Sequence, residues 1–198
     1  MTTTGGERLE RRAVVRSLLA ERDGLVVVTG LGSPSYDVMA AGDHDLNYYL
    51  WGAMGSAATV GLGLAIAQPR RPVMVITGDG ELLMGIGALA TIGVQRPSNL
   101  TIAVIDNERY AETGGQHSHT AAGVRLDGIA AASGFAWTTE VTDADGVEDV
   151  RRRATAFAGP GLAVCKVAPV DLPRVLPPID AVYLKHRLRR ALGFEPRH

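Results

Sequence analysis

Hydrophobic and polar positions along this chain switch repeatedly between two periods. Leu9, Ala13, Val14, Leu18 and Leu19 fall at helical spacing in a polar surround, which predicts a first helix over residues 7–22, stopped by Asp23-Gly24. Unbroken apolar runs bounded by turn residues predict strands over 25–29, 48–50, 73–77, 101–105, 137–141 and 162–167. Helical patterns fill the gaps at 53–67, closed by Pro69, and at 82–94, 127–133 and 143–157. Residues 108–124, rich in Gly and His, read as an irregular loop. Strands that alternate with helices predict an α/β fold: a doubly wound, mostly parallel sheet with helices on both faces. Residues 1–168 make up this domain. In 169–198, Pro169, Pro173, Pro177 and Pro178 predict an extended arm, followed by a short basic helix over 180–192.

Composition narrows the picture by exclusion. A chain of 198 residues suffices for one well-buried domain. A formal net charge of -1 supplies no global field for nucleic acid or an anionic membrane. Residues 1–12 are polar and lack the apolar core of a signal peptide. The longest apolar stretch, 57–67, is too short and too glycine-rich to cross a bilayer. The single cysteine, Cys165, lies in an apolar run and reads as a buried core thiol. One cysteine also excludes a cysteine-ligated iron–sulfur cluster within this chain. A soluble cytoplasmic protein is the expectation.

The chemistry concentrates in two turns. Thr77-Gly78-Asp79-Gly80-Glu81 and Asp106-Asn107-Glu108 each follow a predicted strand, so each lies at the carboxyl edge of the sheet, where open α/β folds bind ligands. Gly-Asp-Gly alone commonly marks a plain turn. On neighbouring parallel strands, however, an Asp carboxylate and an Asn carboxamide can converge on one hard cation such as Mg²⁺, shared with phosphate oxygens. The segment after Gly80 is helical, so its first N–H groups point at an anion. Upstream, Trp51-Gly52-Ala53-Met54-Gly55-Ser56-Ala57 opens the glycine-rich helix. Its glycines suit close helix packing or backbone approach to a ring, and the flexible Met54 side chain suits a wedge.

These three elements, in this order, resemble the diphosphate-binding domain of thiamine diphosphate enzymes, whose motif is GDG, a spacer, then NN. The stretches 87–93 and 112–120, including Glu112, Gln116 and His119, look like that half of phosphonopyruvate and sulfopyruvate decarboxylases, and the resemblance runs from about residue 25 to 167. It implies the thiamine diphosphate-binding fold, with thiamine diphosphate and Mg²⁺ as cofactors. The metal would be held by the side chains of Asp79 and Asn107 and the carbonyl of Arg109. Gly78, Gly80, and the N–H groups of Glu81 and Leu82 would cradle the diphosphate. Gly52 would accept from the 4′-amino group, and Met54 would wedge the cofactor into a V. Glu112, Gln116, His117 and His119 would lie near the substrate, with His119, Glu112 and Gln116 as the catalytic candidates. Two positions depart from the pattern. Asp106 stands for the first Asn of NN. Tyr36-Asp37 stands where relatives carry a basic residue followed by Glu, which leaves the anionic substituent of the substrate open, with Arg109 as a replacement cation.

The resemblance also implies a partner. The Glu that activates the cofactor belongs to a separate pyrimidine-binding domain, and this length holds one α/β unit. The chain is therefore expected to be the diphosphate and metal subunit of a two-subunit 2-oxo acid decarboxylase for a 3-substituted pyruvate, in a hetero-oligomer such as α2β2 or larger. The proline arm and the basic run 185–190 could wrap a neighbour, or the basic run is a solvated face. Rival readings are a carboligase or synthase subunit, a 2-oxo acid oxidoreductase subunit, and a non-enzymatic nucleotide- or phosphate-binding module. The last is weakened because the Gly30-x-Gly32 turn lacks the third glycine of a dinucleotide site, with Ser35 in its place and no clear helix start after it.

Overall fold

In the computed structural model, residues 8–22 and 24–194 are described. The expectations for Glu7, Asp23 and the two ends, 1–7 and 195–198, lie outside them. Six strands form one parallel sheet: β1 Val26–Thr29, β2 Asn47–Tyr49, β3 Val73–Gly78, β4 Leu100–Asp106, β7 Trp137–Val141 and β8 Gly161–Lys166. A separate antiparallel hairpin joins β5 Arg109–Tyr110 to β6 Gln116–His117. The order across the sheet is β2-β1-β3-β4-β8-β7. The central strands β1, β3, β4 and β8 are buried almost throughout, which explains why they read as unbroken apolar runs.

Among the described residues, eight α-helices accompany the sheet: α1 Arg11–Leu18, α2 Ser33–Ala41, α3 Ala57–Ala67, α4 Asp79–Met84, α5 Ala88–Gln95, α6 Leu126–Ala132, α7 Ala144–Thr155 and α8 Ala181–Ala191. Two cores result. Val26, Val28, Val73 and Val75 meet Leu62 of α3, Ile92 of α5 and Ala130 of α6. Val27, Met74 and Ile76 meet Val14 and Leu18 of α1, Val38 of α2 and Val150 of α7. Successive side chains of one strand thus feed opposite layers, as the two-residue period requires. The doubly wound architecture expected from the sequence is the one observed. The Cys165 thiol is fully buried in the second core, and burial pushes its pKa up to about 12.

After β1 the chain runs outward to β2, then crosses back to place β3 on the other side of β1. The carboxyl ends of β1 and β3 therefore flank the switch point of the fold, where a crevice forms. Four local differences from the expectation matter there. A nine-residue helix, α2, does begin directly after the Gly30-x-Gly32 turn, with Gly32 at its N-cap (φ 80°) and Pro34 in its first turn. Its residues 34–38 are all buried, so it lacks the one-sided periodicity that betrays a helix in sequence. The helix expected over 53–67 begins only at Ala57, leaving 53–56 as a turn. The one expected over 82–94 is two, α4 and α5, and α4 starts on Asp79 itself. The segment 108–124 holds the β5–β6 hairpin and two short 3₁₀ turns.

The proline arm has partners within its own chain. It folds back over its own domain: Trp51 Nε1 donates to the Pro178 carbonyl at 2.9 Å, and Arg12 to the Pro173 carbonyl. Leu184 and Leu188 of α8 are buried, and Arg187 ties the helix to Asp43 and to the carbonyl of Asn47 on edge strand β2. The edge of the sheet is thereby covered. Among the described residues no helix is long and apolar enough to cross a membrane.

Candidate active site

The β3–β4 register pairs Gly78 with Ile105, so the turns that follow both strands leave the sheet side by side. Asp79 is only 2% exposed. Burial pushes its carboxyl up to about 6; the nearby Asp106 carboxylate adds to the rise, while hydrogen bonds from Ser118 and Thr120 oppose it. Thr120 Oγ1 sits 3.1 Å from Asp79 Oδ2 and 2.8 Å from Asp106 Oδ1, and 2.9 Å from Ser118 Oγ. Ser118 Oγ itself donates to Asp79 Oδ2. On the far side, Lys166 Nζ lies 2.8 Å from Asp106 Oδ2 and 3.0 Å from Glu108 Oε1. Burial lowers the Lys166 pKa, but these two carboxylates outweigh it and the net shift is upward. The cation thus compensates Asp106, whereas among the described residues no cation pairs with Asp79.

Glu81 turns its side chain away from the solvent. Burial raises its pKa, while hydrogen bonds from Thr77 Oγ1 and from the Gly55 and Ala57 backbone oppose the rise. It lies against Gly30, where a Cβ would come within 1.4 Å of Glu81 Oε2. A side chain at Gly30 would have to displace the Glu81 carboxylate at the switch point. The wedge turn is fixed the same way: a Cβ on Gly85 would sit 1.8 Å from the Gly55 carbonyl oxygen. The Gly55 backbone thus packs directly on the end of α4, and Met54 projects 46% exposed beside it.

One pocket gathers most of the candidates. Met54, Gly78, Asp79, Gly80, Glu81, Asn107, Arg109 and Glu112 all line it. Gly52 borders open space, with φ 72° and nothing within 4 Å of an added Cβ. Leu82 places its side chain in the core. Gln116 and His119 are not brought to the pocket wall. Gln116 Nε2 donates to the Thr113 carbonyl at 2.9 Å. His119 is exposed, and its Nδ1 lies 3.0 Å from the Tyr110 hydroxyl, whose ring covers Gly80. His117 is exposed opposite Arg109 in the hairpin.

A family model for thiamine pyrophosphate enzymes, the C-terminal TPP-binding domain, matches residues 32–167. The chain belongs to this family. A phosphonopyruvate decarboxylase of Streptomyces viridochromogenes is 42% identical over 177 residues, covering 86% of this chain and 44% of the relative. A sulfopyruvate decarboxylase subunit beta of Methanococcus maripaludis is 30% identical over 186 residues, covering 93% of this chain and 98% of that subunit. The chain therefore spans less than half of the first relative and nearly all of the second. Among solved structures, a thiamin diphosphate-dependent enzyme from Mycobacterium smegmatis superposes with a TM-score of 0.71 at 23% identity, over 82% of this chain and 32% of that one. At that identity the likeness speaks for the fold.

Within this TPP-binding domain, several residues on or behind the pocket wall carry no sequence signal of their own. Ser118 and Thr120 bridge the two acidic turns across a hairpin, and Lys166 arrives from β8. Arg11 lines the pocket from α1. The Tyr36-Asp37 departure is absorbed inside the fold. Asp37 is fully buried against Arg11 and Arg12, and Arg174 of the arm lies over the Tyr36 ring. Only long-range pairing shows these roles.

Proposed function

We propose that this chain is the diphosphate- and metal-binding subunit of a thiamine diphosphate-dependent 2-oxo acid decarboxylase acting on a 3-substituted pyruvate. The observation that carries the reading is Asp79: a buried carboxylate without a compensating cation, converging with Asn107 on the pocket that holds Met54. Aspartate carboxylate, asparagine carboxamide and a backbone carbonyl form an all-oxygen donor set suited to Mg²⁺. The open space at Gly52 and the exposed Met54 beside the GDG turn fit the bent cofactor. Thiamine diphosphate, when bound, supplies the electron sink for loss of CO₂.

The chain's own residues then have defined tasks. Asp79, Asn107 and the Arg109 carbonyl would hold the metal. The N-terminus of α4 presents the N–H groups of Glu81 and Leu82 toward the diphosphate. Ser118 and Thr120 fix the Asp79 rotamer, so the carboxylate keeps its aim when the cation arrives. Met54 would contact the cofactor, and the Gly55–Gly85 contact fixes the turn that carries it. Glu112 lies on the pocket wall near the substrate side. His119 acts through Tyr110, by orienting its hydroxyl.

The activating Glu would come from a pyrimidine-domain subunit, in keeping with a beta-subunit relative that this chain matches nearly end to end. The hetero-oligomer and a cytoplasmic location belong to the same reading. The deciding experiment co-expresses this chain with such a subunit, then measures cofactor binding and CO₂ release from sulfopyruvate and phosphonopyruvate. The pair is expected to turn over and this chain alone is not. Cofactor binding unchanged in Asp79→Ala and Asn107→Ala would sink the metal assignment.

A further inference from the structure

Glu81 stands in the first turn of α4, three places after the Gly78 cap, where a glutamate ordinarily reaches back to its own cap. Its carboxylate instead leaves that helix. It accepts from Thr77 Oγ1 at the end of β3 and takes hydrogen bonds from the Gly55 and Ala57 backbone. It also fills the space that a Cβ on Gly30 would need, at the end of β1, with Oε2 1.4 Å from that position. The residue is 9% exposed. Three neutral donors, rather than a cation, meet the carboxylate. One side chain thus touches three segments that are distant in sequence.

The Ala57 N–H gives this reach a reason. Ala57 is the first residue of α3, and the first N–H groups of a helix have no partner within it. Ser56, at the N-cap, makes no capping hydrogen bond with its own side chain. The acceptor comes from another helix instead. A carboxylate suits the place, because a helix N-terminus carries partial positive charge. The Gly55 N–H belongs to the turn that carries Met54, and the Gly55 backbone also meets Gly85 at the far end of α4. That turn is therefore held twice, by Glu81 at the start of α4 and by Gly85 at its end. Packing alone does not account for Glu81. An apolar side chain would fill the same space, whereas a buried hydroxyl and two backbone N–H groups need an acceptor.

We propose that Glu81 is a positioning residue whose carboxylate caps α3 and latches the Met54 turn to the Asp79 turn, so that the two keep a fixed separation. That a cofactor spans them rests on the function proposed above; the latch itself does not. Amide exchange of the metal-free full chain, read by NMR, tests the latch. The Gly55 and Ala57 amides are expected to exchange slowly in the wild type. Glu81→Ala is expected to quicken both roughly fivefold or more, as loss of a helix cap implies. Glu81→Gln, whose carbonyl oxygen still accepts, keeps most of the protection. Gly30→Ala is expected to act like Glu81→Ala, because its methyl group evicts the carboxylate and Gly30 has no left-handed φ for alanine to strain. The double variant Gly30→Ala/Glu81→Ala separates the acceptor from its volume. It stays unprotected if the acceptor holds the turn; protection restored by the added methyl group overturns the latch. A wild type whose two amides exchange freely overturns it as well. If Glu81→Ala does not fold by circular dichroism, Gly30→Ala and Glu81→Gln decide on the same two amides. Calorimetric titration with Mg²⁺ and thiamine diphosphate, and separately with Mg²⁺ and inorganic pyrophosphate, reads the consequence. Glu81→Ala is expected to weaken thiamine diphosphate about tenfold more than pyrophosphate, which has no ring for Met54 to meet. Equal loss of both ligands overturns the positioning role. A wild type that binds neither ligand, while Glu81-dependent protection persists, refutes the cofactor reading and leaves the latch standing.

Discussion

Lys166 Nζ lies 2.8 Å from Oδ2 of Asp106, a carboxylate whose side chain is 1% exposed. The departure from Asn at position 106 is therefore matched by a cation on the neighbouring strand β8. Removing Lys166 strands a buried carboxylate, so Lys166→Met is expected to cost about 2–3 kcal/mol in urea unfolding. Asp106→Asn in the same background restores most of that loss, because an amide oxygen still accepts from the Glu108 N–H and from Thr120. A double-mutant cycle reads the coupling directly. Additive costs would mean that the pair does not act as a unit.

Asp79 sets a pH dependence with a definite sign. Its folded pKa of about 6 stands above the usual carboxylate value, so the folded metal-free chain holds this proton more tightly than the unfolded chain. Its contribution to stability is complete below pH ~4 and is lost as pH rises through about 6, on the order of 2 kcal/mol in all. Asp79→Asn is expected to flatten this stretch of the urea stability profile. Mg²⁺ reverses the preference, since it binds the charged form. Its apparent affinity is expected to fall as pH drops below about 6, when a proton competes for the same oxygens. An Mg²⁺ affinity that stays level from pH 5 to pH 7 would remove Asp79 from the metal site.

Gly85 tests whether the wedge turn is rigidly tied to α4. A methyl group there would lie 1.8 Å from the Gly55 carbonyl oxygen and 2.7 Å from its carbon, both backbone atoms that cannot rotate aside. Gly85→Ala is expected to push the 52–55 turn outward, to cost about 1–3 kcal/mol, and to weaken cofactor binding. Gly63→Ala is the matched control in α3, because nothing lies within 4 Å of a Cβ there. It is expected to raise helix stability slightly. Equal effects at both positions would show that the Gly55–Gly85 contact does not set the height of Met54.

What the sequence disclosed follows the range of the interactions involved. Buried central strands such as β3 and β4 announce themselves as apolar runs, and the Gly78-Asp79-Gly80 turn is a local motif, so the sheet and the two acidic turns at its carboxyl edge were legible. α2 was not, because burial on all sides erases a helical period. The split between α4 and α5 was hidden because it depends on where Gly85 meets Gly55, thirty positions earlier. Arg11 gave no sign for the same reason: its pocket partners are Ser33 and Val170, far along the chain. Gln116 and His119 were drawn toward the site by their place in a family-like stretch, yet hairpin geometry turns Gln116 back onto Thr113 and His119 onto Tyr110.

The same lesson applies to α8, whose run of basic residues read as a surface for a neighbour. Arg187 is 8% exposed, with Nη1 2.6 Å from Asp43 Oδ2 and Nη2 3.0 Å from the Asn47 carbonyl. Its guanidinium also lies between the rings of Tyr49 and Tyr183, at 5.9 and 5.6 Å from their centroids. One side chain thus pins the helix to edge strand β2 by charge, hydrogen bond and stacking. Arg187→Met removes the first two and is expected to cost about 3 kcal/mol, because Asp43 and the Asn47 carbonyl lose their donor. Arg187→Lys rescues only part of it, since an ammonium cannot reach both acceptors and lie between two rings. Hydrogen exchange should quicken first in α8 and β2, while Mg²⁺ binding at Asp79 stays as in the wild type. Loss of Mg²⁺ binding in a folded Arg187→Met chain would mean that the arm and helix support the site as well as the edge of the sheet.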